Sequence, residues 1–345
     1  MLDNIKIKIY DQDIISRLIT HQGFIQGKPL NNNYHTLVHK EIGAKLSLNL
    51  RKAFENKILI GYRHVELIIS PHYHYNNYTH NANDFNPKNC INTIIEILNY
   101  LGIENNQYTE FKVVNLEFGL NIIPSTDIEN LINGILQYKT KDFLVDNFPF
   151  NKKTDATTFK QIKAYAKGLQ FIDNPEYSIN PNTFRFEIKT KQSKYLKTLC
   201  IKSISDLLNI DTYKRLCQAL LDDWEHIFLL NLKPNYKHLN SNEAQFVKQC
   251  NKPQYWQQYQ NEMHRNSVRK NKDKYCHLLK GKNNLHLQIK SLIIDKLLSF
   301  SECANSTQKT PLNKGNNNIT KTSKNKINLE FAHRHYINPQ NNYSY

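Results

Sequence analysis

Several absences narrow the reading before any motif is considered. No stretch of about 18 uninterrupted apolar residues occurs, so no transmembrane helix is expected and the chain is not read as a membrane protein. The six cysteines, Cys90, Cys200, Cys217, Cys250, Cys276 and Cys303, contain no Cys-x-x-Cys pair. They read as free thiols in a reducing compartment, without a zinc module, which favours the cytoplasm. The opening Met-Leu-Asp-Asn-Ile-Lys-Ile-Lys-Ile alternates charged and apolar residues, the pattern of a strand rather than of a signal peptide. Glycine (10) and proline (11) are scarce in 345 residues that are rich in Asn, Lys and Ile. That bias looks genomic, and no function is read from it.

Acidic residues are also in the minority. Lys and Arg number 46 against 30 Asp and Glu, a net charge of +16. A balance this basic points to a polyanionic partner, nucleic acid ahead of a membrane surface. Much of the excess lies late, with 17 Lys and Arg against 6 Asp and Glu over 240–345. Hydrophobic content of 39% still allows a packed core, and the length suits one large domain with a smaller one.

Residues 65–75, Val-Glu-Leu-Ile-Ile-Ser-Pro-His-Tyr-His-Tyr, read as a strand around which the chain is organised. Alternation places Val65, Leu67 and Ile69 on one face and Ser70, His72 and His74 on the other. Two imidazoles one residue apart on a strand suit one divalent metal. Strands are also expected at 5–10, 111–122, 160–171 and 183–190, with hairpin strands within 34–50. Helices are expected at 13–19, at 87–101 behind an Asn86 cap, at 125–138 behind a Thr126-x-x-Glu129 capping box, and at 211–231. Residues 139–158 read as a charged loop.

Each strand with one apolar and one polar face argues for an α+β fold, a sheet covered by helices on one face. The polar sides then share an open face carrying His72, His74, Glu117, Lys163, Tyr165, Lys167, Arg185, Glu187 and Lys189. Two histidines with one or two carboxylates form a ligand set for Mg²⁺ or Mn²⁺. A tyrosine beside a lysine supplies a nucleophile, and the surrounding cations suit phosphates. Together these fit one reaction: a metal polarises a phosphodiester, a tyrosine attacks in line, and one DNA end stays joined to the protein.

The motifs resemble those of the HUH endonucleases. His72-Tyr-His74 has the form His-hydrophobic-His. Ile162-Lys-Ala-Tyr-Ala-Lys-Gly168 followed by Thr183-Phe-Arg-Phe-Glu-Ile-Lys189 looks like the Tyr-x-Lys-Gly and Arg-x-Glu strands of phage and plasmid replication initiators. The filamentous-phage gene II/X type, in versions carried by Bacteroidetes, is the nearest in pattern, and Asn115-Leu-Glu117 looks like the acidic strand of that group. The resemblance covers about residues 1–231. It implies an RRM-like antiparallel sheet, a divalent metal, and nicking and rejoining of a replication origin during rolling-circle replication. By the same match His72, His74 and Glu117 are ligands, and Glu187 either joins them or holds a cation in place. One feature departs from the family pattern. Many HUH enzymes carry Tyr-x-x-Lys on a helix, whereas here Tyr165-x-Lys167 lies on a strand and Tyr195-x-Lys197 near a helix start, which leaves both tyrosines as candidates.

The expected organisation is an endonuclease domain over 1–235, a helical basic DNA-binding region over 236–302, and a mostly disordered basic tail over 303–345. Tyr255, Trp256 and Tyr259 lie among basic residues in the second region, a pattern that suits nucleic-acid binding. The implied partners are single-stranded or hairpin origin DNA, with host helicase and polymerase beyond it. A single-tyrosine transposase and a non-catalytic DNA-binding protein of the same fold are the alternatives.

Overall fold

The charge–apolar alternation at the start of the chain becomes β1 (Leu2–Ile9), which buries Ile5, Ile7 and Ile9 and turns Lys6 and Lys8 to the other face. α1 (Gln12–Thr20) follows, its first turn closed by Asp11 accepting from Ile14 N. β2 (Phe24–Gln26), β3 (Tyr34–His39), β4 (Gly43–Glu55) and β5 (Ile58–Ile69) form successive hairpins. α2 (Pro71–Tyr75) and α3 (Pro87–Tyr100) come next, then β6 (Lys112–Ile122). α4 (Ile128–Gly134) leads into β7 (Ile135–Tyr138), β8 (Lys141–Asp142), β9 (Leu144–Val145), β10 (Asn151–Thr154), β11 (Lys160–Ala166) and β12 (Phe184–Thr190). α5 (Ser193–Thr198), α6 (Ile204–Leu207) and α7 (Ile210–Trp224) precede β13 (Ile227–Leu229). α8 (Ser241–Cys250), α9 (Pro253–Glu262), α10 (Arg265–Leu278) and α11 (Leu285–Asn305) complete the described chain.

The architecture of the computed structural model, which describes residues 1–305, is α+β. A ten-stranded antiparallel sheet has the order β2-β3-β4-β5-β1-β6-β12-β11-β10-β9. Its apolar face carries Ile5, Leu48, Leu67, Leu116, Phe118, Ile162, Phe186 and Ile188, all fully buried, and packs with the apolar stripes of α1, α3, α7 and α11 in one continuous core. No helix among the described residues is long and apolar enough to cross a membrane.

Four expectations change. The strand expected over 65–75 ends at Ile69, because Pro71 cannot donate to a ladder and opens a short helix instead. The helix expected over 125–138 starts three residues late, at Ile128, capped by Asp127 instead of Thr126, and stops at Gly134. The helix expected over 211–231 likewise stops at Trp224. Their downstream residues form β7 and β13, which pair antiparallel, Ile227 opposite Tyr138, in a three-stranded sheet with β8. Gly134 permits the close approach: a Cβ there would lie 2.3 Å from the Leu230 carbonyl oxygen. The charged loop expected over 139–158 contains three short strands, of which β10 pairs with β11 and β9 pairs with β10.

The helices after residue 235 divide between two cores. Val247, Cys250, Trp256, Tyr275, Leu278 and Leu279 gather with Phe228 and Leu230 in a separate cluster. α11 instead returns to the main core through Leu285, Ile289, Ile293, Leu297 and Phe300. Trp256 is 1% exposed and its indole N–H donates to the Cys250 carbonyl, so it is a packing residue and not a platform for bases. The expected tail begins within α11, which is helical to Asn305, and otherwise lies outside the described residues.

Candidate functional site

The polar face is assembled by register. β12 pairs with β11 so that Glu187 faces Lys163 and Arg185 faces Tyr165. On its other side β12 pairs with β6, with Lys189 opposite Glu117, Glu187 opposite Gly119 and Arg185 opposite Asn121. A residue spacing of two keeps all of these side chains on one face.

Arg185 is the hub, 1% exposed. Its Nε donates to Glu187 Oε2 at 3.0 Å, Nη1 donates to Asn121 Oδ1 at 2.8 Å, and Nη2 pairs with Asp3 Oδ2. Glu187 Oε2 also accepts from the Tyr165 hydroxyl at 3.1 Å, while Oε1 accepts from Lys163 Nζ at 2.9 Å. Lys163 reaches Glu117 Oε2 at 3.2 Å, and Lys189 pairs with the other Glu117 oxygen. Lys167 lies just past the end of β11, with its ammonium 5.6 Å from the centre of the Tyr165 ring. Six of the sequence-selected residues therefore converge around Tyr165: Glu117, Lys163, Lys167, Arg185, Glu187 and Lys189.

The electrostatics follow from burial and neighbours. Burial, with the negative charge of Glu187 beside it, pushes the Tyr165 hydroxyl well above its usual range. Burial likewise raises the Glu187 carboxyl, and the nearby Glu117 and Asp3 add to that. Burial acts the same way on Glu117, but Lys163 and Lys189 outweigh it and hold that carboxyl below its ordinary value. Burial lowers Lys167 to about 8. Asp3 is held well below the carboxylate range because Arg185 and the contact from His72 overcome its burial.

The histidine pair does not take the expected place. His72 and His74 stand on the short helix α2, where residues two apart point to different sides. His72 is buried, stacked on Phe85, with Nδ1 3.1 Å from Asp3 Oδ1 and Nε2 2.9 Å from Asn83 Oδ1. His74 faces away, hydrogen-bonded to the Tyr78 hydroxyl and 3.9 Å from Glu96. Burial lowers His72 to about 4. His72 thus meets the cluster as the partner of Asp3, and His74 does not meet it.

These residues do not fit a divalent metal. The space between Glu117 and Glu187 is filled by the ammonium of Lys163, and Arg185 and Lys189 take further oxygens of the same carboxylates. Both His72 nitrogens already have partners in Asp3 and Asn83. Among the described residues no group of three His, Cys, Asp or Glu is arranged to hold a metal ion. The residues expected as a ligand set, His72, His74, Glu117 and Glu187, are thus not brought together in this structure: the two carboxylates belong to an ion-pair network, His72 supports it through Asp3, and His74 lies elsewhere.

Tyr195 lies on the opposite side of the sheet. It packs from α5 against the main core beneath the Lys160 ammonium, 4.9 Å from its ring centre, and burial near Asp223 and Asp222 raises its hydroxyl. Lys160 shares the apolar face of β11 with Ile162 and Ala164, the face opposite Tyr165. Asp3, Asn83 and Asn81, whose side-chain amide donates to Asp3 Oδ2 at 3.3 Å, escaped the sequence reading. Asp3 carried one faint signal, an acid in a strand whose other charged residues are lysines.

No family model matches the chain, and no curated protein sequence matches it.

Proposed function

We propose that the protein is a replication initiator of the HUH, rolling-circle kind that cuts and rejoins one DNA strand through Tyr165. The observation that carries this is the 3.1 Å hydrogen bond from the Tyr165 hydroxyl to Glu187, set among Lys163, Lys167, Arg185 and Lys189 on the polar face of an antiparallel sheet. A tyrosine with a raised pKa is not ionised beforehand, so it reacts only if a base takes its proton as it attacks. Glu187 is in place to do so. The Tyr165 oxygen forms the new bond to phosphorus, the bond from phosphorus to the 3′ oxygen breaks, and the 3′ oxygen takes a proton. Lys167, lowered to about 8, is a suitable donor for that last proton. Lys163 and Arg185 offset the charge that grows on the phosphoryl oxygens. Rejoining is the reverse. No step is assigned to a divalent cation, since the carboxylates already hold lysine and arginine.

The test is incubation of the full chain with labelled single strands covering the origin region of its replicon, followed by denaturing gels and mass spectrometry. The expected product is a covalent adduct at Tyr165, absent in Tyr165→Phe although that variant still binds the strand. Binding without an adduct, in manganese and in chelator alike, would leave a non-catalytic DNA-binding protein. That second reading has an observation of its own: Tyr165 is only 8% exposed and its base is already saturated with cations.

A further inference from the structure

β4 and β5 are much longer than their neighbours. β3 pairs with β4 only between Gly43 and Arg51, and β1 pairs with β5 only between Val65 and Ile69. Residues 53–61 therefore pair only with each other, and the hairpin over 52–64, anchored at its base by the Lys52 N–H donating to the Asn33 carbonyl and by the contact of His35 with the Tyr62 hydroxyl, projects from the sheet as a two-stranded ribbon. The tip is a tight turn in which Asn56 (φ 50°) and Lys57 (φ 66°) both take positive φ, the geometry that suits the twist of a hairpin. Gly61, with φ 146° opposite Ala53, sits beside a register shift that bends the ribbon.

This ribbon is apolar where a free hairpin should be polar. Phe54 is 44% exposed, Ile58 68%, Leu59 48% and Ile60 62%. Around them stand Arg51, Lys52, Lys57 and Arg63 against the single acid Glu55. Four cations against one acid select a polyanionic partner over a protein surface of mixed charge, and apolar side chains set among them suit wedging into a duplex. A two-stranded ribbon is also narrow enough to enter a DNA groove.

We propose that the ribbon over 52–64 is a second nucleic-acid contact, distinct from the Tyr165 cluster, that grips duplex DNA. Lys52, Lys57 and Arg63 hold backbone phosphates while the apolar tip, with Phe54 and Leu59 on one face and Ile58 and Ile60 on the other, wedges against a base step and bends the helix. The contact does not depend on strand transfer at Tyr165.

The experiment uses the full-length chain and a mixed-sequence duplex a few helical turns long, with donor and acceptor dyes at its ends. Affinity is measured across a salt series, and end-to-end energy transfer reports bending. Two triple variants are compared, Lys52→Gln/Lys57→Gln/Arg63→Gln and Phe54→Ser/Ile58→Ser/Ile60→Ser. The first should lower the slope of log affinity on log salt by about 3, the loss of three phosphate contacts. The second should keep that slope, weaken binding about tenfold, and abolish the change in energy transfer. Tyr165→Phe should bend the duplex as the parent chain does. The proposal is overturned if the parent chain neither binds nor bends the duplex, or if both triple variants match it. It is equally overturned if the serine variant alters only self-association in sedimentation, which would make the tip a contact between copies.

Discussion

Arg185 shows how a single residue organises the polar face. It is buried against Asp3, Glu187 and Asn121, and removing it would leave two buried carboxylates facing each other without their shared cation. Arg185→Leu is expected to cost about 3–5 kcal/mol, read from urea denaturation. Tyr165→Phe removes one hydrogen bond to an oxygen that Arg185 still satisfies. It should cost only about 1–2 kcal/mol of stability while abolishing any covalent DNA adduct. His72 gives a pH signature. Its folded pKa, about 4, lies below the ordinary 6.5, so the unfolded chain binds its proton more readily. The associated stability is complete above pH 6.5 and is lost as pH falls through about 4, roughly 3 kcal/mol in all. Melting temperatures of the parent and of His72→Gln between pH 7 and pH 4 should converge as the pH falls. A constant gap would show that His72 does not titrate as its burial dictates.

At the scale of elements, two glycines decide how closely the site's strands approach. Gly119 lies opposite Glu187, where a Cβ would meet the Phe186 carbonyl at 2.4 Å. Gly168 follows Lys167, where a Cβ would come within 2.2 Å of the Asn180 carbonyl and 2.4 Å of that of Pro181. Both obstacles are backbone, which cannot swing aside as a side chain can. Gly168→Ala should therefore push the 180–183 segment away from the end of β11 and cost about 1–3 kcal/mol. Because that segment leads into β12, amide exchange at Phe184 and Arg185 should rise in the variant while β1 and β5 stay protected. Uniform loss of protection would contradict this local account.

At the scale of the whole molecule, cations close the carboxylate sites. The chain carries +16 overall, so binding to a single strand should weaken steeply between low and physiological salt, whatever the sequence. Because Lys163 bridges Glu117 and Glu187, adding Mn²⁺ should not raise the melting temperature at neutral pH. A manganese-dependent rise would mean that the lysine yields its place to a metal. Both measurements need only the intact chain.

The sequence alone determined the elements whose evidence is local. β1, β11 and β12 alternate so regularly that their faces were legible, and with them the convergence of Lys163, Tyr165, Arg185, Glu187 and Lys189. The Asn86 cap and Pro87 fixed the start of α3 in the same way. Tertiary structure decided what local pattern could not carry. His72 and His74 alternate as a strand would, yet Pro71 ends the ladder and the short helix parts them. Ile135 and Ile227 continue helical stripes, yet each lies in a strand because the other is there to pair with its neighbours. Tyr195 repeats the Tyr-x-Lys spacing of Tyr165 but faces the opposite side of the sheet. Asp3 joins Arg185 from a distant part of the sequence, through a strand pairing that no local window contains. Periodicity reports which way a side chain turns from its own backbone, whereas its neighbours are set by long-range pairing.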